Sequence, residues 1–163
     1  FEIPAECRLV VLQNEMAPDL LPVCAAAARK HGAKVIWNAA PAEKLETHDM
    51  SLIDTLIVNR VEAADILGRG ATGPDPAEAV HELAERAPMA EIVLTLGSDG
   101  VAFCAPCGSC EILPAHAVEV ISTHGAGDVF IGTFAADRLR GASLSKAVMS
   151  AQTAAAAHIS QRR

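Results

Sequence analysis

At 163 residues, 51% of them hydrophobic, the chain is long enough to bury a full core, and its length fits a single domain over 1–163. Thirteen basic against 20 acidic side chains leave a formal charge of -7, which argues against nucleic-acid or membrane partners, because such surfaces need clustered Lys and Arg to displace counterions. No apolar run nears the roughly 20 residues that span a bilayer, and residues 20–36 are interrupted by Pro22, Arg29, Lys30, His31 and Lys34.

The chain opens on Phe1-Glu2-Ile3-Pro4, with neither the basic nor the apolar segment of a secretory signal. Residues 9–12 read as a short buried strand, and 19–31 as a helix that Gly32 is placed to cap. Residues 33–37 form the next strand. A third apolar run at 56–58 precedes helical spacing over 62–67, which Gly68 and Gly70 stop. Asp75-Pro76, an N-cap followed by a first-turn proline, starts a helix that runs to residue 86, and 92–95 is again a buried strand. The turn Gly97-Ser98-Asp99-Gly100 leads into 101–103 and 111–113, which pair as an antiparallel hairpin around Pro106-Cys107-Gly108-Ser109. Residues 118–121 read as strand-like. Two alanine-rich helices close the chain, 127–140 and 144–159, separated by Gly141 and the capping Ser143.

Strands alternating with helices on short connections predict an α/β protein, a three-layer α/β/α sandwich whose mostly parallel sheet carries a β-hairpin at one edge. Ligands in such sheets bind past the carboxyl ends of the strands. Ser122-Thr123-His124-Gly125-Ala126-Gly127-Asp128 leads straight into a helix, so unpaired N–H groups and the positive helix end point at one spot suited to an anion. Gly125 and Gly127 let the backbone approach a phosphoryl oxygen, and Asp128 sets a carboxylate beside it. A base next to a phosphate cradle points to phosphoryl transfer. Taken alone, Gly-x-Gly-Asp reads equally well as a turn plus N-cap. Asn59-Arg60-Val61-Glu62 and Thr95-Leu96-Gly97-Ser98-Asp99-Gly100 also follow predicted strands, which puts three polar turns on one rim.

With these motifs in this order, the chain resembles the ribokinase (PfkB-type) carbohydrate kinase family. Asn59-x-x-Glu62 is similar to its magnesium-associated N-x-x-E, residues 95–100 to its nucleotide loop, and residues 122–128 to its D-T-x-G-A-G-D signature. Asn38-Ala39-Ala40-Pro41-Ala42 resembles the family's N-P-A-P-A, and Gln13-Asn14-Glu15 falls where members offer a sugar-contacting Glu. The resemblance implies ATP-dependent transfer of the γ-phosphoryl group to a primary hydroxyl of a sugar or sugar-like acceptor. Asp128 would be the base, and the amides of Gly125, Ala126 and Gly127 would stabilise the transferred group. Glu62 and Asn59 would position Mg2+, largely through waters. Asn59, Thr95, Gly97, Ser98, Gly100 and Gln152 would face ATP, and Glu15 with Asp128 would face the sugar. Ser122 stands where the signature has Asp, and His124 where Thr is common, which puts in question the monovalent cation that many members hold there.

Family members carry about as much chain again before Leu9, including a small β lid, and a short stretch after Ile159. The sequence therefore reads as the catalytic, nucleotide-binding half of a longer kinase, with the lid absent and the sugar pocket open to water. The odd number of cysteines fits a cytoplasmic location, and the resemblance leaves room for a homodimer formed through the lid region.

Two other readings stand beside this one. The missing lid and Ser122 favour a non-catalytic nucleotide- or sugar-binding module of the same fold. Cys104, Cys107 and Cys110 form a C-x-x-C-x-x-C run that could seat zinc or iron–sulfur, with Cys7, Cys24 or His116 as a fourth ligand. Incidental cysteines in a hairpin turn explain that run as well, so no structural metal is assigned. Five cysteines, an odd number, fit reduced thiols better than a disulfide framework. Asn59 and Glu62 also read as an ordinary helix cap with a first-turn acid, and Glu15 as the end of a strand.

Overall fold

Parallel strands cannot be joined by tight turns, so a chain that builds them must cross back over the sheet each time. The computed structural model describes residues 2–17, 19–42, 49–69, 75–106 and 108–161. Strand β1 (Leu9–Gln13) is followed by helix α1 (Leu20–Lys30) and β2 (Lys34–Asn38), then by β3 (Thr55–Asn59). Helices α2 (Arg60–Leu67) and α3 (Pro76–Arg86) carry the chain on to β4 (Glu91–Thr95). The hairpin β5 (Val101–Cys104) and β6 (Cys110–Leu113) precedes helices α4 (Ala126–Leu139) and α5 (Leu144–Ile159).

The six strands lie in chain order in one sheet, β1 to β4 parallel and β5 and β6 antiparallel at the far edge. Alternation along the strands divides the core in two. Val35, Trp37, Leu56, Val58, Ile92 and Leu94 face α1, α2 and α3, where they meet Leu21, Ala28, Ile66, Val80 and Leu83. Ile36, Ile57, Val93 and Phe103 face the other way, onto Phe130, Phe134, Leu144 and Val148 of α4 and α5. The expected three-layer α/β/α arrangement with its edge hairpin is therefore the observed one, and each fully buried Leu, Ile or Phe contributes about 1.5–3 kcal/mol.

Local signals account for most boundaries. Asp75 Oδ1 accepts from Ala77 N at 2.9 Å ahead of Pro76, and Gly68 ends α2 in the left-handed region at φ 67. Gly70, expected as a second stop, lies outside the described residues.

Two expectations are corrected. Residues 118–121 pair with no strand, and Val118, Val120 and Ile121 are exposed. Their alternating pattern satisfies strand propensity, but β-structure needs a partner edge, and Ile121 N instead donates to Ile159 O at the end of α5. Cys104 and Cys110 are not free thiols. The β5–β6 register sets them directly opposite, with Cα atoms 4.2 Å apart, and they are joined as a disulfide. Cys7 and Cys24 are free, and Cys107 lies outside the described residues.

One buried polar chain ties the carboxyl ends of β1 and β2 together. The Trp37 indole Nε1 donates to Asn14 Oδ1 at 2.7 Å, and Asn14 Nδ2 donates to Pro41 O at 2.6 Å. Removing a partner from a buried donor costs about 1–3 kcal/mol. Asn14→Ala is expected to destabilise the fold by that amount, read by urea unfolding with the fluorescence of Trp37, the only tryptophan. An unchanged midpoint would show that the chain of bonds carries no stability.

Candidate active site

The four parallel strands end at one rim, and the sequence there turns polar: Gln13-Asn14-Glu15 after β1, Asn38 to Pro41 after β2, Asn59 after β3 and Thr95 to Gly100 after β4. Asn59 and Thr95 are register partners, and Thr95 Oγ1 donates to Val58 O at 3.4 Å. Arg60 Nη2 reaches across to Asp99 Oδ2 at 2.6 Å, joining the start of α2 to the 3-10 turn Gly97–Asp99.

Helix α4 begins at the same rim. Its N-cap is Gly125, left-handed at φ 75 and ψ 3, where a side chain would be strained and a Cβ would lie 3.3 Å from His158 Nε2. The turn before it is held from α5: Ile121 N and Ser122 N donate to Ile159 O, and His158 Nε2 lies 2.9 Å from His124 O. The Ala126 N–H is taken up by Thr123 O at 3.2 Å, so this amide, expected in the cradle, serves the turn. The N–H groups of Gly125, Gly127 and Asp128 meet no acceptor among the described residues. A Cβ on Gly127 would meet nothing within 4 Å, which leaves its amide open to an approaching group.

The start of α4 divides two clefts. One, of about 710 Å³, is lined by Thr95, Gly97, Ser98 and Gly100 on one side, by Thr123, Ala126 and Gly127 on another, and by Gln152, Ala155, Ala156 and Ile159 of α5. The other, of about 490 Å³, brings Gln13, Glu15 and Met16 together with Asp128. Glu15 and Asp128 are both exposed at its surface. Asn59, Glu62 and Gly125 line neither cleft.

Asn59 and Glu62 form a reciprocal capping box. Asn59 Oδ1 accepts from Glu62 N at 2.9 Å, while Glu62 Oε2 accepts from Asn59 N and Oε1 from Asn59 Nδ2, each at 2.8 Å. Burial pushes the Glu62 carboxyl up, against the lowering effect of these two hydrogen bonds. A half-buried carboxylate beside an amide oxygen is a hard-oxygen donor set. It fits a magnesium ion that keeps most of its waters and takes one or two carboxylates together with phosphate oxygens.

Gln152 is buried in the wall of the larger cleft, and its Nε2 donates to Pro114 O at 2.6 Å, pinning the segment after β6 to α5. Gly100, at φ 106, has a structural demand of its own, since a Cβ would fall 1.9 Å from Leu113 O. The cleft-lining residues Ala155, Ala156 and Ile159 were not singled out in the sequence, although with Gln152 they form an i, i+3, i+4, i+7 stripe that could have shown them. His158 carries no sequence signal, because its contact with His124 spans 34 residues.

The chain belongs to the pfkB family of carbohydrate kinases, whose profile matches residues 5–163. It is 30% identical over 158 residues to the ribokinase of Haemophilus influenzae, covering 97% of this chain and 51% of that one. With the ribokinase of Schizosaccharomyces pombe it shares 34% over 133 residues, 78% of this chain and 41% of the relative. Its fold superposes on a crystal structure of ribokinase from Cryptococcus neoformans var. grubii in complex with ADP. The TM-score is 0.83 at 25% identity, covering 94% of this chain and 54% of that one. The chain thus spans about half the length of the curated relatives it matches. Among the described residues, no helix is long and apolar enough to cross a membrane.

Two outcomes follow from the geometry of the rim. Gly100→Ala is expected to lower stability by at least about 2 kcal/mol, whereas Gly127→Ala shifts it by no more than about 1 kcal/mol, compared by thermal unfolding. Equal losses would contradict the two environments. Because the folded pKa of Glu62 is raised, its contribution to stability is fully present below the ordinary value of 4.5 and is lost as pH rises through the folded value. Glu62→Gln is expected to remove that loss, seen as a flatter melting temperature across this window.

Proposed function

We propose that this chain is the nucleotide-binding and base-bearing part of an ATP-dependent kinase that phosphorylates a primary hydroxyl of a sugar or sugar-like acceptor. The observation that carries this reading is the position of the start of α4 between two clefts, with open amides on one side and the Asp128 carboxylate on the other. The larger cleft, apolar along α5 and edged by Thr95, Gly97 and Ser98, suits a nucleotide base and ribose. The smaller one, with Gln13, Glu15 and Asp128, suits a polyol.

In this reading the acceptor hydroxyl lies against Asp128, which takes its proton as the oxygen attacks the terminal phosphorus of ATP and the bond from that phosphorus to the β,γ-bridging oxygen breaks, releasing ADP. The N–H groups of Gly125 and Gly127 donate to the phosphoryl oxygens, aided by the positive end of α4. That of Ala126 joins them only where its 3.2 Å bond to Thr123 is given up. Glu62 and Asn59 would hold Mg2+, largely through water, and its charge would offset that of the phosphates. Glu15 orients the acceptor by accepting from a second hydroxyl. Gln152, with its amide donated to Pro114, shapes the base-binding wall rather than reading the base. The ribokinase relatives support a pentose as the acceptor class.

Asp128→Asn in the full-length protein tests the assignment. Phosphoryl transfer is expected to fall about 10²–10⁴-fold while ATP binding, measured by calorimetry, is retained. Near-normal turnover would remove Asp128 from the role of base.

A further inference from the structure

The hairpin at the sheet edge holds a donor cluster that phosphoryl transfer does not use. Cys104 ends β5 and Cys110 begins β6, and α3 lays His81 over them, so that Nδ1 stands 3.5 Å from Cys110 Sγ. The three donor atoms all lie within 4.8 Å of one another. A tetrahedral zinc, with Zn–S of about 2.3 Å and Zn–N of about 2.0–2.1 Å, holds a sulfur and a nitrogen ligand about 3.5–3.6 Å apart, which the Cys110–His81 separation matches. The imidazole comes from a helix 29 residues upstream of Cys110, so α3 packing and not local sequence brings it to the sulfurs. Among the described residues, the other candidates for a fourth ligand are elsewhere engaged: His116 Nε2 is 3.0 Å from Thr153 Oγ1, Cys7 Sγ donates to Leu9 O, and Cys24 is on the buried face of α1.

We propose that, once the disulfide is reduced, Cys104, Cys110 and His81 bind a thiophilic divalent cation of the zinc class. Two molecules of a small thiol supply the two electrons and two protons that open the Cys104–Cys110 bond, leaving as their own disulfide. Binding then displaces both cysteine protons to solvent, and two thiolates with a neutral imidazole balance the charge of the ion. Burial is graded for this role, with Cys104 buried, Cys110 half-buried and His81 exposed, so the ion has protein on one side and water on the other. The pairing of Cys104 with Ile92, near the start of β4, sets the site at the end of the sheet opposite the rim, where Thr95 pairs with Val101. The ion is therefore separate from the nucleotide cleft, and oxidation of the pair releases it.

Anaerobic titration of the reduced, chelator-treated full-length protein with Co2+, followed by displacement with Zn2+, tests this directly. One equivalent is expected per chain, with thiolate-to-cobalt charge-transfer absorption and tetrahedral d–d bands. His81→Ala, a change at an exposed position whose fold is checked by circular dichroism, is expected to weaken binding at least about tenfold. Cys110→Ser should abolish the charge-transfer band, and the oxidised protein should bind none. Absence of binding to the reduced wild type, equal affinity in His81→Ala, or retention of the ion after oxidation would each overturn the site.

Discussion

The left-handed turn at Gly125 is the constraint on which the rest of the site depends. Three amides at the mouth of a helix can grip an anion only if the chain enters the helix at the angle that leaves them exposed. Here that angle is held from outside the motif, by the last carbonyls and side chains of α5: Ile159 O takes the amides of residues 121 and 122, and His158 reaches His124 O. Helices α4 and α5 pack Phe130, Phe134, Leu144 and Val148 onto the sheet, so the turn inherits the rigidity of that core layer.

The parallel sheet does the remaining positioning. Because β1 to β4 point the same way, their carboxyl ends deliver Glu15, Asn59 and the Thr95–Gly100 turn to one edge, although 85 residues separate Glu15 from Gly100. The start of α4 then divides that edge, which is the geometry a two-substrate transfer needs: one partner on each side of a common line of amides and one carboxylate beside the second partner. The opposite end of the same sheet, where the antiparallel hairpin meets α3, is chemically distinct: a disulfide with an imidazole beside it.

Much of this was legible beforehand. Apolar runs, helix caps and the Asp75-Pro76 start placed the strands and helices within a residue or two in most cases, because those signals act over one or two turns of chain. The pairing of 101–103 with 111–113 followed from the turn between them, and the ladder extends one residue further to Cys104 and Cys110. Residues 118–121 were misread for the complementary reason: alternation describes a strand's faces but supplies no neighbour to pair with. The same blindness applied to the cysteines, since their oxidation follows from β5–β6 register, and His81 joins them only through the packing of α3 on the hairpin.

The amino-acid sequence by itself determined the elements, their order, the layered α/β class and the glycine-rich turn that opens α4, all of which arise from periodicity and backbone preference within short windows. Tertiary structure alone decided which side of α4 each group serves, that the Ala126 amide belongs to the turn, that Gln152 is committed to Pro114, and that Asn59 and Glu62 close on each other as a cap. Those outcomes depend on contacts between segments tens of residues apart, whose distances are set by how helices pack on a twisted sheet and leave no trace in local composition.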